Sequence, residues 1–337
     1  MVQLLNSSRP RELFDHSGRE QHGSGRASHH RWMTRRTPLP EGLPLEGFAV
    51  DDALSRGATR AQLRSADLTS PFWGVRVVRG ISDESLASAA AYLARSPQPA
   101  IVSHVSAAKL WGIPLPPRWQ RDERLHVSVP PDVRAPKGAR VAGHHVALHP
   151  ADVTIRSGLR TTTQSRTVCD LAGLLSEEDL LAATDFLLWW RREDERVPKE
   201  DIQRAINRHP TKRGMSRMRK IAALASDRAD SAPESKLRYR IVEAGFPHPS
   251  VNVELFDSRG QFLAMPDLCY PSFMMCFDYE GDHHRTEAGQ WEKDIHRVPR
   301  LQDAGWHHTR VSKSDLGDSH DFLTRLARNL RARGWTP

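Results

Sequence analysis

PDLCYPSFMMCFDYEGDHHR, Pro266–Arg285, sets an apolar run, Phe273–Phe277, between a turn at Tyr270–Ser272 and a dense acidic end. The run is short and bounded by turn signals, so it reads as a buried strand ending in acid. Side chains alternate across a strand, which puts Asp278 and Glu280 on one face and Phe277 and Tyr279 on the other. A preceding strand carrying Asp267 alongside would bring three carboxylates to one sheet edge. Buried carboxylates repel unless a cation neutralises them, and a hard, oxygen-preferring ion such as Mg²⁺ suits that cluster. A hydrolytic metal site follows in outline. The same acids also suit a solvated turn at a strand end, and the triplet alone does not separate the two.

The order of elements around this strand narrows the choice. Upstream lie a helical segment with Glu234 near its start, the strand-like Val251–Phe256, a turn at Asp257–Gly260, and Gln261–Asp267. Downstream come a helical stretch through Trp291, Asp294 and Leu301, then the strand-like Trp306–Val311. A Pro-Asp pair, a spacer and an acid-x-acid in this order resemble the PD-(D/E)XK nuclease superfamily, in particular its very-short-patch-repair-like endonuclease branch, over about Pro233 to Arg333.

The resemblance implies that Asp267 is the acid of the Pro-Asp signature and Asp278 the second acid. Glu280 stands where many members have lysine. In that branch the strand commonly ends in Glu-Tyr-Asp-Gly followed by a histidine; here it reads Asp278-Tyr279-Glu280-Gly281, with His284 in the histidine place. Both acids are exchanged and the charge count is kept. Glu234, in PESKLR, matches the helical glutamate that often completes the site. The expected ion is Mg²⁺, with Mn²⁺ as its substitute, held by Asp267 and Asp278; Glu280 either ligates it or orients the nucleophile. Asp294 with Arg297, and Gly305-Trp306 with Arg310, echo the rest of the pattern as structural or DNA-contacting residues.

Composition bounds the partners. The chain has 337 residues and a formal net charge of +8, with a sequence pI near 9.7, so polyanions are plausible ligands. Cys169, Cys269 and Cys276 show no C-x-x-C spacing, which argues against a zinc ribbon or a disulfide framework and fits a reduced cytoplasm. No apolar run is long enough for a membrane span, and the polar start does not read as a signal peptide.

Residues 1–40 form a polar tract rich in Ser, Gly, Arg and His, expected to be a disordered basic tail. Because Met33 is followed by a more ordinary beginning, translation is expected to start there. From Phe48 the pattern tightens. Phe48, Val50, Ala53 and Leu54 suit a short helix ended by Gly57; Thr59 can cap a second helix containing Arg60, Leu63 and Arg64; Phe72–Val78 reads as a strand. A helix-turn-helix with a wing needs these parts, as does an ordinary helical hairpin, and in the first reading Arg60 and Arg64 face DNA.

Further helices are expected at Asp83–Arg95, Ser106–Trp111, from a cap near Ser165, and at Glu177–Trp190, with strands at Arg124–Val129 and Ala139–Val146. The segments SHVSAAKLWGIPLP, LHVSVP and RTVCDLAG resemble the N-terminal region of AbiEi-type antitoxin-like proteins. That resemblance implies a winged helix over 41–195 and a toxin–antitoxin or defence-system partner. Residues 196–232 read as a basic helical linker. Its Lys212, Arg213, Arg217, Arg219 and Lys220 either neutralise phosphates or line a solvated helix. The expected boundary is Asp230–Pro233, with Pro233 opening the next helix.

The chain holds seventeen histidines. Adjacent residues on a strand point to opposite faces, so neither His283–His284 nor His307–His308 offers two ligands to one ion. His284 alone could pass a proton beside the carboxylates or cap a backbone carbonyl, and Arg285 and Arg310 could steady a phosphate. The expected fold is α/β, with an α+β, winged-helix-like N-terminal part and a C-terminal restriction-endonuclease-like mixed sheet over 233–337. The function implied is metal-dependent DNA cleavage, with a catalytically inactive DNA-binding regulator and an RNA-processing protein as alternatives.

Overall fold

The computed structural model describes residues 38–44, 47–80, 84–96, 100–280 and 297–336. Helices and mixed sheets make this an α/β protein. Among the described residues no helix is long and apolar enough to cross a membrane.

Gly47–Ala49 (β1) leads into Val50–Ser55 (α1), and Leu68–Thr69 (β2) with Val75–Val78 (β3) forms a hairpin. β3 lies between β1 and β2, antiparallel to both. Glu84–Arg95 (α2) packs Ala87 and Ala91 against Val75 and Val77. Phe48 belongs to β1 rather than to the helix. The second predicted helix shrinks to a 3-10 turn, Gln62–Arg64. Thr59 Oγ1 accepts from the Gln62 N–H at 3.2 Å, but the residue at the start of the turn is Ala61, whose side chain cannot cap it. Ser65 Oγ then donates to Asp67 at 2.8 Å and Arg79 Nε donates to the Ala66 carbonyl. Side-chain bonds of this kind compete with helix continuation. Arg60 and Arg64 are exposed on a turn, not along a recognition helix.

The middle of the chain supplies Ile101–Val102 (β4), His104–Leu110 (α3), Pro117–Gln120 (α4), Leu125–Val129 (β5), Lys137–Gly138 (β6), Val141–His145 (β7), Val153–Arg156 (β8) and Leu159–Thr162 (β9). Four helices follow: Gln164–Leu171 (α5), Glu177–Leu188 (α6), Lys199–Arg208 (α7) and Met215–Leu224 (α8). The strands form one mixed sheet in the order β6-β7-β5-β4-β9-β8. α5 starts two residues earlier than read, because Thr163 accepts from the Arg166 N–H.

The stretch 196–232 is not a linker. Ile202, Ile206, Met218 and Ile221 from α7 and α8 join Val105, Val127, Val168 and Leu181 in one core. Periodic apolar positions on a basic helix bury one stripe and expose the other, and here the buried stripe attaches both helices to the middle unit.

The C-terminal unit runs Ala232–Glu243 (α9), Ser250–Val251 (β10), Leu255–Phe256 (β11), Phe262–Ala264 (β12), Leu268–Tyr270 (β13), Met275–Glu280 (β14), His307–Ser312 (β15), Lys313–Gly317 (α10) and His320–Ala332 (α11). Its sheet has the order β10-β13-β14-β15, antiparallel except for the parallel pair β14–β15. On one face Leu268, Met275, Phe277 and Val311 pack with Leu237 and Ile241 of α9 and with Phe322, Leu326 and Leu330 of α11. Cys269 and Cys276 point to the other face, against Leu301 and Trp306.

α9 also joins the units. Its Arg238 forms a buried ion pair with Asp185 of α6, while Lys236 pairs with Asp179 at 2.6 Å and Arg240 with Glu178 at 2.9 Å.

Candidate functional site

The register of β13 on β14, Leu268 opposite Phe277 and Cys269 opposite Cys276, places Asp267 across from Asp278. Directly opposed residues of an antiparallel pair share a face, so the alternation read from the sequence brings these two acids together. Asp267 N donates to Asp278 Oδ1 at 3.3 Å, and the Tyr279 N–H donates to Asp267 Oδ2 at 2.7 Å.

Glu234 completes the acidic group from α9. Ser231 caps this helix, accepting from the Glu234 N–H at 3.3 Å, and Pro233 lies in the first turn as expected. The Glu234 carboxylate is buried and accepts from the Asp230 N–H and from Asn252 Nδ2, each at 3.0 Å. Asn252 has a left-handed φ of 45°, its N–H donates to the Asp267 carbonyl at 3.0 Å, and its side chain also bonds the Arg228 carbonyl at 2.7 Å. Asparagine tolerates this backbone region better than most residues. Here one side chain ties the glutamate to the strand that delivers Asp267.

The electrostatics follow from burial. Desolvation, then the neighbouring Glu234 charge, pushes Asp267 up to about 7. Burial also raises Glu234, against the hydrogen bonds from Ser231, Asp230 and Asn252. Two carboxylates therefore compete for charge in one desolvated pocket.

Asp278 is neutralised differently. Its Oδ2 accepts from His308 Nε2 at 2.5 Å and from Arg297 Nη2. Burial lowers the Arg297 pKa and the Asp267 charge opposes that shift. His308 was not read as a site residue. It lies on β15, thirty positions along the chain, and only the parallel register Cys276↔His308 brings it here. His307 points to the opposite face and meets Asn329 at 3.0 Å, as strand alternation requires.

Three expectations are corrected. Glu280 shares the acidic face but pairs outward with Arg310 at 2.9 Å, both side chains being more than half exposed. The reason is the register Asp278↔Arg310, which sets a long cation beside the strand end. Arg310 is accordingly engaged with Glu280. Lys212 donates to the Cys169 carbonyl at 3.0 Å and pairs with the buried Asp170 at 2.7 Å, so it serves the middle core. Arg213 is exposed and lines a cleft of about 400 Å³ with Arg217, Lys220 and Glu177. His284 and Arg285 lie outside the described residues.

Among the described residues no three His, Cys, Asp or Glu side chains form a ready metal-binding group. The oxygen-only donors Asp267 and Asp278, with Glu234 behind Asp267, match in kind what a hard divalent ion takes. Burial first, and then the Glu234 charge, raise the Asp267 pKa, with the Tyr279 N–H and Arg297 opposing.

No family model matches the chain. The uncharacterized proteins Rv2248 (strain H37Rv) and MT2308 (strain CDC 1551) of Mycobacterium tuberculosis are each 26% identical to it over 179 residues. The match takes in 52% of this chain and 64% of theirs, so the chain spans less than two thirds of the length of these curated relatives. The crystal structure of the Rv2827c protein from Mycobacterium tuberculosis aligns with a TM-score of 0.38 at 17% identity, covering 63% of this chain and 78% of that one. Likeness of that size carries no argument.

Proposed function

We propose that the chain is a metal-dependent DNA endonuclease whose site is the Asp267–Asp278 pair with Glu234. The observation that supports this most is the facing of the two aspartates across β13 and β14, with Asp267 pushed up to about 7 by burial and by Glu234. A buried acid pair of this kind costs stability unless a cation or a proton offsets it. Asp267 and Asp278 would hold Mg²⁺ or Mn²⁺. When bound, the ion supplies a water of lowered pKa and neutralises charge developing on phosphate.

The residues of the chain have distinct parts in this reading. Glu234, fixed by Asn252 and the Asp230 amide, orients water on the inner side. His308 and Arg297 on Asp278 Oδ2 hold that carboxylate still and leave Oδ1 turned toward Asp267. Arg310 and Glu280 form the outer rim, and Arg60, Arg64 and Arg213 offer exposed cations to the DNA backbone.

A second reading, a DNA-binding protein whose nuclease-like unit is only a scaffold, is favoured by the same Arg297–Asp278 pair, which already neutralises one of the acids. Titration of Mg²⁺ and Mn²⁺ into the wild type and Asp267→Ala, with parallel incubation on plasmid, mismatched duplex and single-stranded DNA, separates the two. Metal-dependent cleavage that disappears in the variant is the expected result. DNA binding with neither metal heat nor cleavage would sink the hydrolytic reading.

A further inference from the structure

Between the middle unit and Glu234 lies a rim that the carboxylate site does not itself explain. Trp190, which follows α6, is 41% exposed, and its backbone N–H donates to the Asp227 carbonyl at 3.0 Å. Two guanidinium groups lie over its ring, Arg191 at 4.8 Å and Arg228 at 5.2 Å from the centroid. Both connect to the acids. Arg228 Nη2 donates to the Asn252 carbonyl at 3.3 Å, and Asn252 holds Glu234. Arg191 pairs with Asp230 at 3.2 Å, and the Asp230 N–H holds the same Glu234 oxygen. Trp189 Nε1 fixes Asp230 from the other side at 2.7 Å.

The charge pattern has a physical meaning. Glu234, Asp267 and Asp278 repel a polyanion, and the cations on the Asp278 side, Arg297 and Arg310, already pair with Asp278 and Glu280. On the Glu234 side Asp227 is taken by Arg196 at 2.8 Å and Asp230 by the half-exposed Arg191 at 3.2 Å, and among the described residues Arg228 has no ion pair with an acid. An exposed indole in contact with two guanidinium groups restrains them, and an arginine so restrained offers paired N–H donors at little further entropic cost. A guanidinium recognises phosphate through two parallel N–H donors.

We propose that Arg191 and Arg228, ordered by Trp190, grip a DNA backbone phosphate next to the one that meets the acids. The substrate surface is then composite, with the middle unit supplying Trp190 and Arg191. This inference rests on the endonuclease reading for the identity of the polyanion.

The test is binding of a fluorescein-labelled duplex to the full chain without divalent ions, followed by anisotropy over a range of salt concentrations. Each phosphate contact contributes about 0.9 to the slope of log K against log[salt]. Arg191→Ala is expected to lower the slope by about 0.9 and to weaken binding roughly fivefold to tenfold at 0.1 M salt. Arg191→Lys keeps the slope. Arg228→Lys keeps the charge and guards against loss of the Asn252 bond. Trp190→Ala weakens binding with the slope unchanged, because it removes restraint and no charge. Wild-type affinity and slope in Arg191→Ala overturn the inference, as does a wild type that binds no DNA. Tighter binding of single-stranded RNA with the same slope changes assigns the rim to RNA instead. Predicted slopes without any metal-dependent cleavage leave the rim standing and end the hydrolytic reading, whereas cleavage with unaltered slopes does the reverse.

Discussion

Asp267 is held above the ordinary carboxylate range, at about 7, against about 3.9 for an unfolded aspartate. A raised folded pKa means that the folded state binds the proton more tightly. The resulting stability is fully present below about pH 4 and is lost as pH rises through about 7. Without divalent ions, the melting temperature of the wild type should fall between pH 5 and pH 8 relative to Asp267→Asn, which carries no charge to desolvate. Mn²⁺ should restore the wild type and leave the variant unmoved. Parallel thermal profiles for the two proteins would show that Asp267 ionises at no cost. At this scale the facing aspartates were legible in the sequence, because alternation along one strand and a Pro-Asp before another are local patterns. The His308 and Arg297 contacts to Asp278 were not, since both residues come from segments beyond β14 and only the fold brings them back. Glu280 was misplaced because its partner, Arg310, sits on β15.

α9 carries Glu234 into the site while its other face is fastened to α6. The buried Arg238–Asp185 pair is central to that attachment, and burial raises the Asp185 pKa against the attraction of Arg238. Removing one member of a buried pair strands the other. Arg238→Met should therefore cost about 3–5 kcal/mol, read as a lowered urea midpoint, and Asp185→Leu added to it should recover much of the loss. A neutral single variant would mean that water reaches Asp185. The caps at Ser176 and Ser231 and the proline in the first turn of α9 are short-range signals that a sequence displays openly. Where the second N-terminal helix stops after one turn, the local Ser65–Asp67 bond is joined by a distant one, from Arg79 just after β3 to the Ala66 carbonyl. No window around Thr59 contains the Arg79 contact.

Three histidines from α3, β5 and β7 meet inside the middle unit. His104 stacks on His144 with ring centroids 3.6 Å apart, and His126 Nδ1 lies 3.0 Å from His144 Nε2. Burial dominates in lowering His104 to about 3 and His144 to about 4, with Asp170 opposing both shifts. A depressed folded pKa gives stability that is present above about pH 6.5 and lost as pH falls toward the folded value, because the unfolded chain takes up the protons. Between pH 7 and pH 5 His104 alone should cost about 2 kcal/mol, measured by urea unfolding at the two pH values, and His104→Gln should remove most of that difference. An unchanged pH dependence in the variant would place the acid sensitivity elsewhere. Since α6 holds α9, acid unfolding of the middle unit is expected to release Glu234 as well, which a loss of Mn²⁺ binding at the pH where the middle unit unfolds would show.

The sequence by itself determined the α/β class, the strand through Phe277 and the two aspartates that face one another, all of which rest on patterns a few residues long. Tertiary structure alone decided where 196–232 belongs, which cations neutralise Asp278, and that Glu280 turns outward to Arg310. It also brought Trp190, Arg191 and Arg228 to the edge of Glu234. The physical reason is range. Periodicity and capping act within one or two turns of backbone, whereas ion pairing and desolvation depend on which distant segments exclude water from the same place.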